Sequence, residues 1–182
     1  MSGFTHESAA AESVEWFTPA WVFEALRERD GSPMRFYLDP CHPMGEPLAW
    51  VPAARRYTLE DDGLSYTWRG RIWCNPPYGP ETQRWLARMD EHRNGIALVF
   101  ARTDAEWFHR YVVPADGVLF LRQRIKFVDR SGQPRQTLDK RTGKMRVGSP
   151  GAGSMLVAWG RECRWALIQA SQAGLGTFAD LS

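Results

Sequence analysis

A chain of 182 residues, with 43% hydrophobic and 13% aromatic side chains, is long enough for one substantial core and too apolar to be disordered. No stretch approaches the roughly 18 apolar residues of a membrane span, and MSGFTHESAAAESVE lacks a basic start followed by an apolar run, so a cytoplasmic protein is expected. The net charge of +2 hides a split, because residues 1–64 carry 5 basic and 11 acidic side chains and residues 122–146 carry 9 and 2. The basic end is suited to an anion; the alternative is a solvated loop that keeps the protein soluble. Cys41, Cys74 and Cys163 have no spacing for a disulfide framework, and together with four scattered histidines they give no metal site, so each cysteine is expected to be a small buried residue.

Residues 1–15 read as a flexible arm, followed by a single domain over 16–182. Thr18 and Pro19 offer a capping hydroxyl and a first helical proline, predicting a helix over about 19–29. RFYLD (35–39) reads as a short strand, and the prolines of PCHPMGEP make a loop at its end. WRGRIWC (68–74) predicts a second strand that stops where Pro76 and Pro77 cannot donate to a ladder. Pro80 and Glu81 open the helix ETQRWLARMDEH, and GIALVFA has the length and character of a buried strand. Thr103 and Glu106 form a capping box before DAEWFHRYV. GVLFLRQRIKF reads as one long or two short strands, SMLVAWG as another, and the segment between them (129–150) as a mobile basic loop. A short helix and a terminal strand are expected after Arg161. Alternating strands and helices indicate an α/β fold with a wound, mostly parallel sheet.

Asn75-Pro76-Pro77-Tyr78 directly follows a predicted strand and precedes a predicted helix, where open α/β sheets place ligand sites. Its residue types suit an exocyclic amine on a nucleobase such as adenine, whose lone pair is delocalised into the ring. The Asn75 side-chain oxygen and the Pro76 carbonyl would accept the two N–H bonds and draw the nitrogen toward tetrahedral geometry. Consecutive prolines fix φ and supply no N–H, so the turn cannot become helical and consume that carbonyl. Tyr78 would stack on a base swung out of its helix. The plain alternative is a rigid strand-to-helix turn with a buried tyrosine.

Six islands in register extend this motif: W-F-T-P at 16–19, F-Y-L-D-P-C at 36–41, D-G-L at 62–64, W-x-G-x-I-W-C-N-P-P-Y-G at 68–79, R-T-D-x-x-W-F at 102–108 and R-I-x-F at 124–127. In these the chain resembles the phage and prophage DNA N6-adenine methyltransferases of Dam type. The resemblance implies an abbreviated methyltransferase Rossmann-like sheet, mostly parallel with an antiparallel C-terminal strand. It also implies S-adenosyl-L-methionine as methyl donor and adenine in DNA as substrate. Asn75, Pro76, Pro77 and Tyr78 are then catalytic. Thr18 and Pro19 meet the donor's amino-acid end, Asp39, Pro40 and Cys41 form the donor turn, and Asp62 lies near its adenosine. Read from the residues alone, Thr18 suits a helix cap, and Asp39 and Asp62 suit turns beside Pro40 and Gly63. The glycine-rich turn of many methyltransferases is replaced here by DPCHPMGEP, which holds one glycine.

Arg122, Arg124 and Lys126 alternate with apolar neighbours and predict a cationic stripe on one face of a strand. With Lys140, Arg141 and Lys144 in the basic loop they form the candidate DNA contacts, the alternative being an ordinary solvated face. Neither a membrane nor an obligate protein partner is implied. Two other readings compete: a methyltransferase acting on RNA or on a protein amide, since NPPY also occurs there, and a catalytically inactive nucleic-acid-binding phage accessory protein.

Overall fold

The computed structural model describes residues 17–44, 50–134, 136–139, 141–148 and 151–181; the expected arm over 1–15 and Lys140 lie outside them. Seven strands form the central sheet: β1 (Phe36–Asp39), β2 (Ala53–Arg56), β3 (Ile72–Cys74), β4 (Gly95–Phe100), β5 (Gly117–Leu121), β8 (Ser154–Trp159) and β9 (Gly176–Ala179). Their spatial order is β2-β1-β3-β4-β8-β5-β9. β2, β1, β3 and β4 pair in parallel. β8 then runs antiparallel to both β4 and β5, and β9 antiparallel to β5. The sheet is therefore mixed α/β, parallel at one end and antiparallel at the other, with two reversed C-terminal strands where one was expected.

Buried strands explain the apolar runs. In β4, Ile96 and Leu98 enter one core, with Phe36, Trp73, Leu119 and Leu156, while Ala97 and Val99 enter the other, with Leu38, Ile72, Val118 and Trp159. A strand covered on both faces reads as continuously hydrophobic rather than alternating. The first layer is closed by α1 (Ala20–Glu24) and α3 (Arg161–Gln172), and the second by α2 (Thr82–His92) and a π-helical turn over Phe108–Val112. Each fully buried leucine or isoleucine here contributes about 1.5–3 kcal/mol. Among the described residues, no helix is long and apolar enough to cross a membrane.

Tertiary contacts override several local signals. α1 stops at Glu24, because Leu26 is buried and Met34 N–H bonds its carbonyl, turning the chain back through Gly31 at φ 82°. Thr18 makes no cap: Pro19 takes that position without a side-chain hydrogen bond. Of WRGRIWC only Ile72–Cys74 pairs, and β2, with the unpromising sequence AARR, forms by adding to the edge of β1. The segment after Thr103 closes as a π turn, with Val113 N–H reaching the Phe108 carbonyl at 3.0 Å. The basic stripe is not on a strand, since β5 ends at Leu121 and Arg122 N–H turns to the Leu175 carbonyl. The stretch read as a loop over 129–150 instead carries an antiparallel hairpin, β6 (Gln136–Leu138) with β7 (Met145–Val147).

Candidate active site

Parallel β1, β3 and β4 end on one side of the sheet at Asp39, Cys74 and Phe100. Asn75-Pro76-Pro77-Tyr78 leaves β3 at that edge, where the prolines cannot extend the ladder. Tyr78 folds back over the end of β4, its ring stacked on Phe100 with centroids 3.9 Å apart and edge-on to Phe127 at 6.1 Å. Its hydroxyl donates to Asn75 Oδ1 at 3.1 Å. Burial holds the Tyr78 phenol far above its usual range, with the Cys41 and Cys74 thiols adding to the effect, so it remains protonated and a donor. Downstream, the buried Thr82 hydroxyl donates to the Pro77 carbonyl at 3.0 Å, and its N–H to the Gly79 carbonyl at 3.1 Å. The first turn of α2 thereby ties down the proline pair.

A narrow cleft opens beside this turn, lined by Phe17, Thr18, Asp39, Cys41, His42, Pro43, Val51, Trp73 and Asn75. Four expected site residues thus share one wall system: Thr18, Asp39, Cys41 and Asn75. Pro19 and Pro40 adjoin lining residues in the chain. Asp39 Oδ2 lies 2.9 Å from His42 Nδ1, and its Oδ1 accepts the Cys41 N–H at 3.3 Å. Cys41 and Cys74 bring their sulfurs to 3.6 Å. Burial pushes the Cys41 thiol well up, the Cys74 thiol and the Asp39 carboxylate push the same way, and the Asn75 backbone N–H opposes them. The Cys41 sulfur therefore remains a thiol between the Asp39–Cys41 turn and the Asn75–Tyr78 turn.

Asp62 is exposed on a turn at φ 49°, and Ser65 donates its hydroxyl to the Asp62 carboxylate at 2.9 Å. It does not line the cleft. Its neighbour Gly63 presses on the Asp39–Cys41 turn so closely that a Cβ there would fall 1.9 Å from the Pro40 carbonyl oxygen. The D-G-L and D-P-C islands therefore meet in space. Arg122, Arg124 and Lys126 are exposed while Ile125 and Phe127 are buried, so the alternation survives from Arg124 to Phe127, outside any strand. That segment borders the site: Phe127 meets Tyr78, Val128 pairs with Phe17, and the Arg130 guanidinium lies 5.4 Å from the Phe17 ring centre. Arg141 and Lys144 sit in the turn of the β6–β7 hairpin, where Asp139 accepts the Arg141 N–H at 2.9 Å.

Sequence reasoning missed His42, Thr82 and Phe100. His42 is one of the four scattered histidines, and its only local signal is its place three residues after Asp39. Thr82 and Phe100 carry no motif, and folding alone brings them to the turn.

Comparison with curated proteins and with solved structures gives no match. A family model does match, the DNA N-6-adenine-methyltransferase (Dam) family, over residues 6–164, which takes in Asp39–Cys41, NPPY and the basic segment. With that span covering most of the chain, the protein belongs to the DNA N-6-adenine-methyltransferase (Dam) family.

Proposed function

We propose that the protein transfers the methyl group of S-adenosylmethionine to the N6 amine of adenine in DNA. The observation that carries this reading is the NPPY turn at the carboxyl edge of a parallel strand, beside a cleft that also holds Asp39 and Thr18. S-adenosylmethionine, when bound, supplies an electrophilic methyl on a sulfonium. The residues present fit such a group, because the cleft holds a buried carboxylate and a buried imidazole nitrogen without a hydrogen-bond partner among the described residues. Thr18, Pro19, Asp39, Pro40 and Cys41 would hold its amino-acid side, with Asp62 near its adenosine. The reversal of β8 between β4 and β5 supports a Rossmann-like methyltransferase sheet, and two cores on one sheet support a single domain over 16–182.

The chain's own contribution is positioning. Asn75 Oδ1 and the Pro76 carbonyl accept the two amine N–H bonds, which frees the nitrogen lone pair toward the methyl. Tyr78 supplies an aromatic face for an extruded base. Methylation leaves a cationic amine that loses its proton readily, so no general base is required. Arg122, Arg124 and Lys126, on the segment whose Phe127 meets Tyr78, together with Lys140, Arg141 and Lys144, would track phosphates.

The test offers methyl-labelled S-adenosylmethionine with DNA, RNA and glutamine-containing protein as acceptors, followed by nucleoside mass spectrometry. N6-methyladenine in DNA is expected, and Asn75→Ala should reduce kcat by about 10²–10³-fold while the far-UV spectrum is kept. Label in RNA or protein alone would move the substrate, and full activity in the variant would remove the mechanism.

A further inference from the structure

Away from the NPPY turn, a second cavity of about 290 Å³ opens at the β2 edge of the sheet. Its lining includes Tyr37 of β1, Arg55 of β2, and Tyr57, Tyr66, Thr67 and Arg69 from the connection between β2 and β3. It shares no lining residue with the cleft beside Asn75. The connection is shaped to close here, because Gly70 turns at φ 64° and a Cβ on it would fall 2.6 Å from Tyr37 Cβ. A side chain at that position would push Tyr37 away.

Charge and ring chemistry narrow the ligand. Both arginines are exposed, and neither has a carboxylate partner among the described residues. No acidic side chain lines the cavity. Arg55 lies over the Tyr37 ring, its guanidinium carbon 5.6 Å from the centroid. Such a contact engages the face of the guanidinium and leaves its in-plane N–H groups to an anion. Tyr57 and Tyr66 stack with centroids 4.6 Å apart, so each keeps one ring face, and Tyr66 is 46% exposed. An inorganic anion would use the arginines and leave the rings idle, and a neutral aromatic would do the reverse. A flat base joined to a phosphate meets both, since guanidinium forks suit phosphate oxygens and bases of every kind stack on aromatic side chains. The volume lies near the lower end of the ~300–1,000 Å³ of small-ligand sites, so it suits one such unit.

We propose that this cavity binds a single nucleotide, its phosphate held by Arg55 and Arg69 and its base stacked against Tyr66. A free mononucleotide and an unpaired nucleotide of a DNA strand share this chemistry. The site is separate from methyl transfer, since it calls for neither a target adenine nor the methyl donor.

Thymidine 5′-monophosphate is the probe, because it carries neither the target base nor the donor's adenosine. Calorimetry on the full chain compares it with thymidine, inorganic phosphate and a short oligothymidylate. The monophosphate should bind at least about tenfold more tightly than thymidine or phosphate, and Arg69→Gln and Tyr66→Ala should each weaken it about tenfold. Both side chains are exposed, so the variants should keep the wild-type far-UV spectrum. Given that result, an oligothymidylate that weakens in the same variants makes a DNA strand the source, and one that they leave unchanged makes it a free nucleotide. Phosphate binding as tightly as the monophosphate reduces the cavity to an anion site and overturns the proposal. Absence of binding does the same, as do variants that bind like wild type. A wild-type chain that methylates DNA but ignores the monophosphate loses this cavity alone, whereas monophosphate binding without methyl transfer removes only the methyl-transfer reading.

Discussion

The Tyr78 hydroxyl donates to Asn75 Oδ1 at 3.1 Å, so within one turn the aromatic residue occupies the acceptor that an incoming amine would use. The half-buried amide oxygen is thereby satisfied within the turn itself. The stack on Phe100 keeps the ring in that pose.

Tyr78 therefore has two separable parts. Tyr78→Phe keeps the ring and removes the bond that substrate must displace, so kcat/KM on duplex DNA should stay within about fivefold of wild type. Tyr78→Ala should lose about 10–100-fold, the worth of one base–aromatic stack. Equal losses in the two variants would assign the role to the hydroxyl instead of the ring.

Thr82 acts through the Pro77 carbonyl, which it bonds at 3.0 Å. Thr82→Ala should cost about 1 kcal/mol in urea unfolding and lower kcat by about tenfold, with KM for DNA little changed, because the turn is loosened rather than emptied. Thr82→Ser keeps the hydroxyl and should restore both quantities. Failure of serine to restore kcat would show that the methyl, and not the hydrogen bond, matters.

Arg122 and Lys126 are exposed on the segment whose Phe127 touches Tyr78. If that segment tracks phosphates, replacing either residue with alanine should weaken DNA binding alike for all sequences. It should also reduce the slope of log K against log salt by about 1 per residue. Fluorescence anisotropy across a salt series measures both, and an unchanged slope would place the phosphates elsewhere.

Cys163 gives a pH dependence. Burial raises its thiol from 9.0 to about 12 in the folded chain. Unfolded chains then lose this proton first, so the stabilisation is fully present below pH 9 and is lost as pH rises through 12. The loss amounts to at most roughly 4 kcal/mol. Urea midpoints between pH 8 and pH 11 should fall more steeply for wild type than for Cys163→Ala, and parallel curves would contradict the assignment.

Much of the frame was open to local reading. The apolar runs at 95–100 and 154–159 announced strands because β4 and β8 are covered on both faces. Asn75-Pro76-Pro77 announced a strand end because proline lacks an N–H, and that rule needs no tertiary context. β2 was hidden, since Ala53–Arg56 is held by the edge of β1 rather than by propensity. The helix begun at Ala20 ended early because buried Leu26 turns the chain.

Sequence alone determined the Asn75–Tyr78 turn, since its geometry follows from two imino acids and one amide in succession. Only the tertiary structure decided its surroundings: Thr82 on the Pro77 carbonyl, Phe100 under Tyr78, Gly63 against Pro40, and His42 against Asp39. The physical reason is that backbone restriction acts within a few residues, whereas burial and hydrogen-bond satisfaction are properties of a site assembled from separate strand ends.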